Sequence, residues 1–171
     1  MRVLVLGLAA VLIVAGLIMA AVGFAARGEV ATALAAERLV VQDPRVLLTY
    51  DGARAPEGVE VQKVLIDSPE LAVAQAEVIQ IHTLAITEGK TYSEMDREDP
   101  ARATYLNAVT LRSALLQARM AFDISLLVMG LGGIFALTGL TVAGVFVLAA
   151  RRIPAVEFQP QRRPANAPSA A

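Results

Sequence analysis

Two uncharged apolar stretches lie near the ends of the sequence, and they constrain the fold more than any other feature. The first runs from Val3 to Ala26 and the second from Ile124 to Ala150. Each exceeds the roughly 20 residues that a helix needs to cross the hydrocarbon core of a bilayer. The sequence therefore predicts an all-α membrane protein. Residues 1–26 and 123–150 form its two transmembrane helices, and residues 27–122 form a helical domain between them.

The first apolar stretch could instead be a cleavable signal peptide. Ala25 and Ala26 would suit a small-residue cleavage site, but the preceding n-region would hold only Met1 and Arg2. The apolar run of 24 residues is also longer than the roughly 7–15 residues of a typical signal-peptide core. We therefore expect this stretch to be retained as a transmembrane helix.

The distribution of charge predicts the orientation in the membrane. Arg2 precedes the first stretch, Arg151 and Arg152 follow the second, and residues 27–123 carry ten Lys or Arg against fifteen Asp or Glu. Because cytoplasmic flanks are enriched in Lys and Arg, both termini are predicted to be cytoplasmic and the middle domain extracytoplasmic, in a multi-pass protein of the cell membrane. Arg27, at the outer end of the first stretch, opposes this assignment.

The chain after the second stretch differs in composition from the rest. Residues 151–171 are rich in proline and small residues and contain few large apolar ones. Such a composition cannot bury enough apolar surface to fold by itself. We predict a disordered cytoplasmic tail.

Small residues recur at helical spacing in both apolar stretches. In lipid, such residues allow two helix backbones to approach closely. We predict a packing face, either between the two spans or toward another membrane protein or a second copy of the chain, made of Ala9, Gly16, Ala20, Gly23, Gly132, Ala136, Gly139 and Ala143.

The first half of the middle domain has mixed signals. Glu29 to Val41 is alanine-rich and predicts a helical continuation of the first span, ended by Asp43-Pro44. Val46–Tyr50 and Val59–Leu65 could be two short strands of a small β-hairpin, because turn residues lie between them.

The second half of the middle domain is predicted to be helical. Ser68 and Pro69 are suited to the start of a helix, and apolar residues at helical spacing follow as far as Gly89, which suits its end. After Asp99-Pro100 the helical pattern continues without a break into the second span, which predicts one helix of more than about 45 residues.

Five polar residues are candidates for contact with a ligand or partner. His82 is the single histidine, and a lone histidine is more typical of a structural or solvent-facing residue than of a metal site. Tyr92 could line a pocket with His82. Tyr105, Arg112 and Arg119 share roughly one helix face, which is typical of a polar surface and could also dock an anionic partner such as lipid headgroups.

The sequence contains no catalytic, metal-binding or cofactor-binding motif. It has no cysteine, and none of the common nucleotide-binding, hydrolase or zinc-protease patterns occurs. No basic patch of the kind that binds nucleic acid is present. We therefore expect a protein that is not an enzyme, that binds no cofactor, and whose partners are membrane lipid and another membrane protein or itself.

His82 to Met95 (HTLAITEGKTYSEM) and Asn107 to Phe122 (NAVTLRSALLQARMAF), followed by a glycine- and leucine-rich span, resemble a family of small two-span proteins from high-GC bacteria. Many of these proteins are described as aromatic ring-opening dioxygenases, so the resemblance implies that activity. Such enzymes typically hold iron with two histidines and a carboxylate. One histidine cannot complete that set within a single chain.

Three functions follow, in order of preference. The first is a non-catalytic accessory or interaction protein of the cell membrane. The second is an extracytoplasmic ligand-sensing module, since a domain between two spans is also the layout of sensor inputs. The third is the ring-opening dioxygenase activity that the resemblance implies.

Overall fold

A computed structural model describes residues 2–152 of the chain. It is mostly helical with one small sheet. In chain order the elements are α1 (Arg2–Ala36), β1 (Val40–Gln42), α2 (Pro44–Leu47), a 3₁₀ turn (Asp51–Ala53), β2 (Lys63–Leu65), α3 (Pro69–Ile86) and α4 (Ala101–Arg152).

The two long helices, α1 and α4, form an antiparallel pair. They contain 35 and 52 residues, which at 1.5 Å per residue makes them about 52 and 78 Å long. Both contain a segment that is long and apolar enough to cross a membrane. Each helix is therefore longer than the roughly 30 Å hydrocarbon core of a bilayer. The prediction of a single long C-terminal helix is confirmed.

The helix predicted after Ser68 is also confirmed, as α3. Pro69 occupies its first turn, where the missing N–H costs nothing. The Ser68 side chain makes no capping hydrogen bond. At the other end Gly89 adopts a positive φ of 80° and its N–H donates to the carbonyl of Leu84. This left-handed residue turns the chain away from the helix axis.

Two predictions for the first half of the domain are wrong. The helix expected to reach Val41 ends at Ala36, and Val40–Gln42 is a strand instead. The residues Val46–Tyr50 do not form a strand, because Pro44–Leu47 is a short helix. The Asp43 carboxylate accepts the backbone N–H of Arg45 and thereby caps that helix.

The small sheet therefore has a different first strand from the one predicted. Strand β1 pairs antiparallel with β2, with Val40 opposite Leu65 and Gln42 opposite Lys63. The strand β2 lies within the predicted segment Val59–Leu65. The intervening residues 43–62 form a long excursion rather than a tight hairpin turn.

The core of the domain surrounds α3. On one side, Ile66 and residues of α3 pack against Leu115 of α4, in the cluster Ile66, Leu71, Ala72, Ala76 and Leu115. On the other side, α3 covers the excursion 43–62 through the cluster Leu47, Ala53, Val61 and Val78. Helix α3 thus joins the small sheet to α4.

The predicted tail of residues 151–171 begins within α4, which continues to Arg152. Residues 153–171 lie outside the described part of the chain.

Candidate functional site

Glycines bring the backbones of α1 and α4 into direct contact. A Cβ atom placed on Gly16 would lie 2.5 Å from both the Gly132 carbonyl oxygen and the Ala136 nitrogen. A Cβ on Gly139 would lie 2.7 Å from the Ala9 carbonyl oxygen. Such distances leave no space for a side chain, so these positions accept only glycine at this helix separation. We call these contacts, with those of Gly23, the glycine seam.

The structure places the other predicted packing residues along the same seam. Ala20 lies opposite Gly132, and Gly23 lies against Ser125 and Met129 of α4. Five of the eight predicted residues are buried, among them Ala9, which is only 1% exposed. The remaining three are partly buried: Ala20, Ala136 and Ala143. The four glycines among these residues each lie against the other long helix of the same chain.

Two arginines, Arg27 and Arg119, lie at the end of the apolar segments that is nearer to the domain. The Arg27 guanidinium is 5.2 Å from the ring centroid of Phe122, a buried residue of α4. Arg119 donates from Nε to both carboxylate oxygens of Asp123, at 3.0 and 2.9 Å. The cation–π contact and the ion pair both lie close to Asp123, after which the charge-free part of α4 begins.

Tyr105 and Arg112 lie together beside a small cavity between α3 and α4. The cavity has a volume of about 40 Å³ and is also lined by Gln80 and Thr83 of α3. The Arg112 Nε is buried and has no hydrogen-bond partner among residues 2–152. A buried donor without a partner is costly, so this position suits a water molecule or a small anion.

Tyr92 belongs to a different contact, in the loop before α4. Its ring lies 3.8 Å below the guanidinium of Arg102, and its ring centroid is 6.5 Å from that of Tyr105. Arg102 also donates to the carbonyl oxygens of Tyr92 and Met95, at 3.0 and 2.7 Å. One arginine in the first turn of α4 thus holds the loop against the helix.

His82 faces the opposite side of α3. Its Nε2 is 3.2 Å from the carbonyl oxygen of Ala53, and because a carbonyl oxygen only accepts, Nε2 is the donor of this hydrogen bond. Ala53 is buried and has a positive φ of 52°. The histidine therefore supports a strained turn of the excursion.

The five candidate polar residues do not form one site. Tyr105 and Arg112 share the cavity, and Arg119 is paired near the apolar segment. Tyr92 lies beside Tyr105 but binds Arg102, and His82 contacts Ala53. Sequence reasoning missed Arg102, whose role depends on the path of a loop. The available signal was an arginine two residues after Asp99-Pro100, the pair that marks the start of a helix.

A second missed contact orders the excursion 43–62. The Asp43 carboxylate accepts two hydrogen bonds from the Arg45 side chain, at 3.0 and 2.8 Å, besides the backbone N–H of Arg45. The side-chain hydrogen bonds from Arg45 hold the pKa of Asp43 below its ordinary value. Asp43 is therefore ionised in the folded domain at neutral pH.

Within residues 2–152, no three His, Asp or Glu side chains lie close enough together to hold a metal ion. The nearest feature to a ligand site in this part of the chain is the Arg112 cavity.

No family model, no curated protein and no solved structure matches the chain. The resemblance to the two-span family of high-GC bacteria consequently stays a prediction.

Proposed function

We propose that this chain is an integral membrane protein without catalytic activity, which displays a small domain on a rigid helical hairpin and acts through contact with other membrane proteins or with itself. In this proposal the domain lies outside the cell and both termini lie in the cytoplasm.

The observation that carries the proposal is the exposed surface of the paired helices. The small residues of α1 and α4 face each other, and the large apolar residues face outward. On α1 these include Val3, Leu4, Leu8, Val11, Leu17 and Phe24, and on α4 Leu126, Leu127, Ile134, Leu137, Leu140 and Val145. A continuous apolar surface of this size is unfavourable in water, whereas lipid chains would cover it.

The orientation is supported by the antiparallel pairing. Because α1 and α4 run in opposite directions, Arg2 and Arg151 lie at the same end of the pair, and the domain lies at the other. The positive-inside rule would assign the arginine-bearing end to the cytoplasm.

An interaction role is supported by how the domain is attached. Leu115 of α4 belongs to the core around α3. The domain therefore shares its core with a helix that continues into the paired apolar segments of α1 and α4, which we call the apolar hairpin. The domain is therefore held in a fixed position above the hairpin rather than on a flexible linker.

Labelling of single cysteines would test the location, because the natural chain contains no cysteine. In intact cells, Ser93→Cys should react with a membrane-impermeant maleimide, and Arg151→Cys should react only after lysis. The protein should also stay with the membrane after carbonate washing. Release by carbonate, or labelling of Arg151→Cys alone, would contradict the proposal.

In-membrane photo-crosslinking from exposed positions of the domain would test the interaction role. We expect specific adducts with a membrane protein or with a second copy, identified by mass spectrometry. A chain that yields no protein adduct from any of these positions would rule this role out.

A ligand-sensing role is the second candidate, and the unpartnered Nε of Arg112 favours it. The cavity beside it, about 40 Å³, is far below the roughly 300 Å³ of small-molecule pockets, so only a small anion would fit. Phosphate or chloride should then raise the melting temperature of the purified protein, and Arg112→Gln should abolish that rise. An unchanged melting temperature in the natural protein would remove this candidate.

The dioxygenase activity implied by the resemblance is the third candidate, and it would need an iron site. His82 is the single histidine, and its Nε2 already contacts the Ala53 carbonyl. Metal analysis of the purified chain provides the test, since an iron-dependent enzyme would carry stoichiometric iron.

A further inference from the structure

Helix α4 carries exposed apolar residues in the part that lies beyond the apolar hairpin. Leu106, Val109, Leu116 and Met120 are 47%, 41%, 41% and 57% exposed. They follow one another at intervals of three, seven and four residues, which places them on one helix face with the 3.5-residue period of a coiled coil. We call these four residues the α4 stripe.

The α4 stripe is not covered by the rest of the chain. Helix α1 packs on the other side of α4, through Phe122 and Gly132. Helix α3 contacts the edge of the stripe, where Val109 and Leu116 line its cavities, and still leaves both residues substantially exposed. An apolar face in water at this spacing is typical of a helix that packs against another helix.

The same face continues into the apolar segment of α4. Asp123, which is exposed, is the one charged residue on this face. Below it, the positions that continue the alternating spacing of three and four residues are all exposed: Leu127, Gly130, Ile134, Leu137, Thr141, Gly144 and Leu148. Around Gly130 the surface forms a groove lined by Asp123, Leu127 and Ile134. A groove at an exposed glycine lets another helix approach closely.

We propose that the occupant of this face is α4 of a second copy, in a parallel two-fold dimer. This inference rests on the membrane insertion proposed above, because two copies inserted alike present their α4 helices in the same direction and at the same depth. A two-fold axis along the membrane normal then brings each stripe residue against its own equivalent.

The length of the face favours a second copy over a short peptide or a soluble partner. From Leu106 to Leu148 the face is about 63 Å long, and a helix is about 10 Å wide. Two such faces would bury on the order of 1,250 Å² in total, above the roughly 1,000 Å² expected of a specific interface. A partner must be a helix that passes from water into lipid at the same level, and α4 itself meets that requirement.

The charges on the face are compatible with this pairing. Asp123 lies on the face between Met120 and Leu127, and its carboxylate is paired with Arg119 of the same helix at 2.9 Å. Each copy therefore brings a neutral ion pair, rather than a free carboxylate, to the dimer interface. Close to the two-fold axis, Arg119 of either copy could also contact Asp123 of the other.

Single-cysteine crosslinking of the full chain in native membranes tests the dimer. The variants are Met120→Cys and Leu106→Cys, with Leu111→Cys as the control. Leu111 is 56% exposed, like Met120, but lies about 180° around the helix from it. Because a disulfide needs Cα atoms within about 7 Å, we expect about tenfold more disulfide dimer from Met120→Cys than from Leu111→Cys.

A second substitution shows whether the stripe drives the pairing. Leu106→Glu added to Met120→Cys should lower the dimer fraction severalfold, whereas Leu111→Glu should leave it unchanged. Equal crosslinking of Met120→Cys and Leu111→Cys would reveal random collision and overturn the dimer. Adducts with a different membrane protein, with no self-crosslink at the stripe, would also overturn it but leave the proposed function intact.

Discussion

The paired segments of α1 and α4 and the small domain around α3 are packed by different means. In the glycine seam, backbone lies against backbone, and a single Cβ at Gly16 would come within 2.5 Å of Ala136. In the domain, large side chains such as Ile66 and Leu115 fill the space between elements. Apolar side chains gain little by moving from lipid into a protein interior. Helices in lipid are therefore held together by the close approach of their backbones. In water, burial of apolar area does so.

The largest effect is expected in the seam. Gly16→Leu would drive a side chain into the backbone of Gly132 and Ala136, so we expect the helix pair to lose about 3 kcal/mol or more. Thermal unfolding in detergent, followed by circular dichroism, would measure this. The control is Gly7→Leu in the same helix, where a Cβ meets nothing within 4 Å. Equal stability of the two variants would contradict the seam.

The domain should respond to lost volume rather than added volume. Ile66 is fully buried, and Ile66→Ala should destabilise the domain by about 2–3 kcal/mol. Ile86→Ala, at an exposed position at the end of α3, should change stability by less than about 0.5 kcal/mol. Denaturant unfolding of the purified protein measures the loss of stability in both variants. If the two losses were comparable, Ile66 would not be part of the core.

A smaller effect is expected where the loop before α4 is held by Arg102. Arg102→Met removes two hydrogen bonds to carbonyl oxygens and the contact with the Tyr92 ring. We expect the free energy of opening the loop to fall by about 1–2 kcal/mol. This would be measured as faster amide hydrogen exchange over residues 89–99. Arg97→Met, an exposed arginine of the same loop, should leave the exchange rates unchanged.

The smallest effect is the pH dependence that arises from Asp43. The Arg45 side chain lowers the pKa of Asp43 in the folded protein, so its contribution to stability is present above the unfolded pKa of about 3.9. That contribution is lost as the pH falls further, through the folded value. Melting temperatures measured from pH 5 downward should therefore fall more steeply in the natural protein than in Asp43→Asn. Arg45→Met should flatten the curve in the same way, and an unaltered slope in both would exclude this pair as the cause.

The sequence was sufficient to predict the elements whose signals are local. Two long apolar runs, the Ser68-Pro69 start of α3 and the unbroken pattern after Pro100 each depend on neighbouring residues alone. Strand β1 was missed because an alanine-rich helical pattern precedes it, and its pairing with β2 joins residues more than 20 positions apart. Strand preference depends on such distant partners more than on the residues themselves.

The candidate site divides in the same way. The periodicity of Gly132, Ala136, Gly139 and Ala143 marks a face of α4, and small residues at helical spacing mark one on α1. Sequence reasoning could identify both faces but not which residues lie opposite each other. Whether Gly16 lies against Gly132 depends on the register of two helices that are far apart in the chain. The position of Arg102 at the start of a helix could be seen in the sequence, but its contacts could not, because they depend on the conformation of residues 89–99.

The 52 unbroken residues of α4 make it a lever. In a bilayer, a helix adjusts its tilt to the local hydrocarbon thickness. The part of α4 from Ala101 to Asp123 rises about 33 Å above the apolar segment, so a change of about 10° in tilt would displace its upper end by about 6 Å. Because Leu115 anchors the α3 core to this part, the displacement would be carried to the whole domain. Bilayers of different thickness would thus present the same surface at different heights and angles.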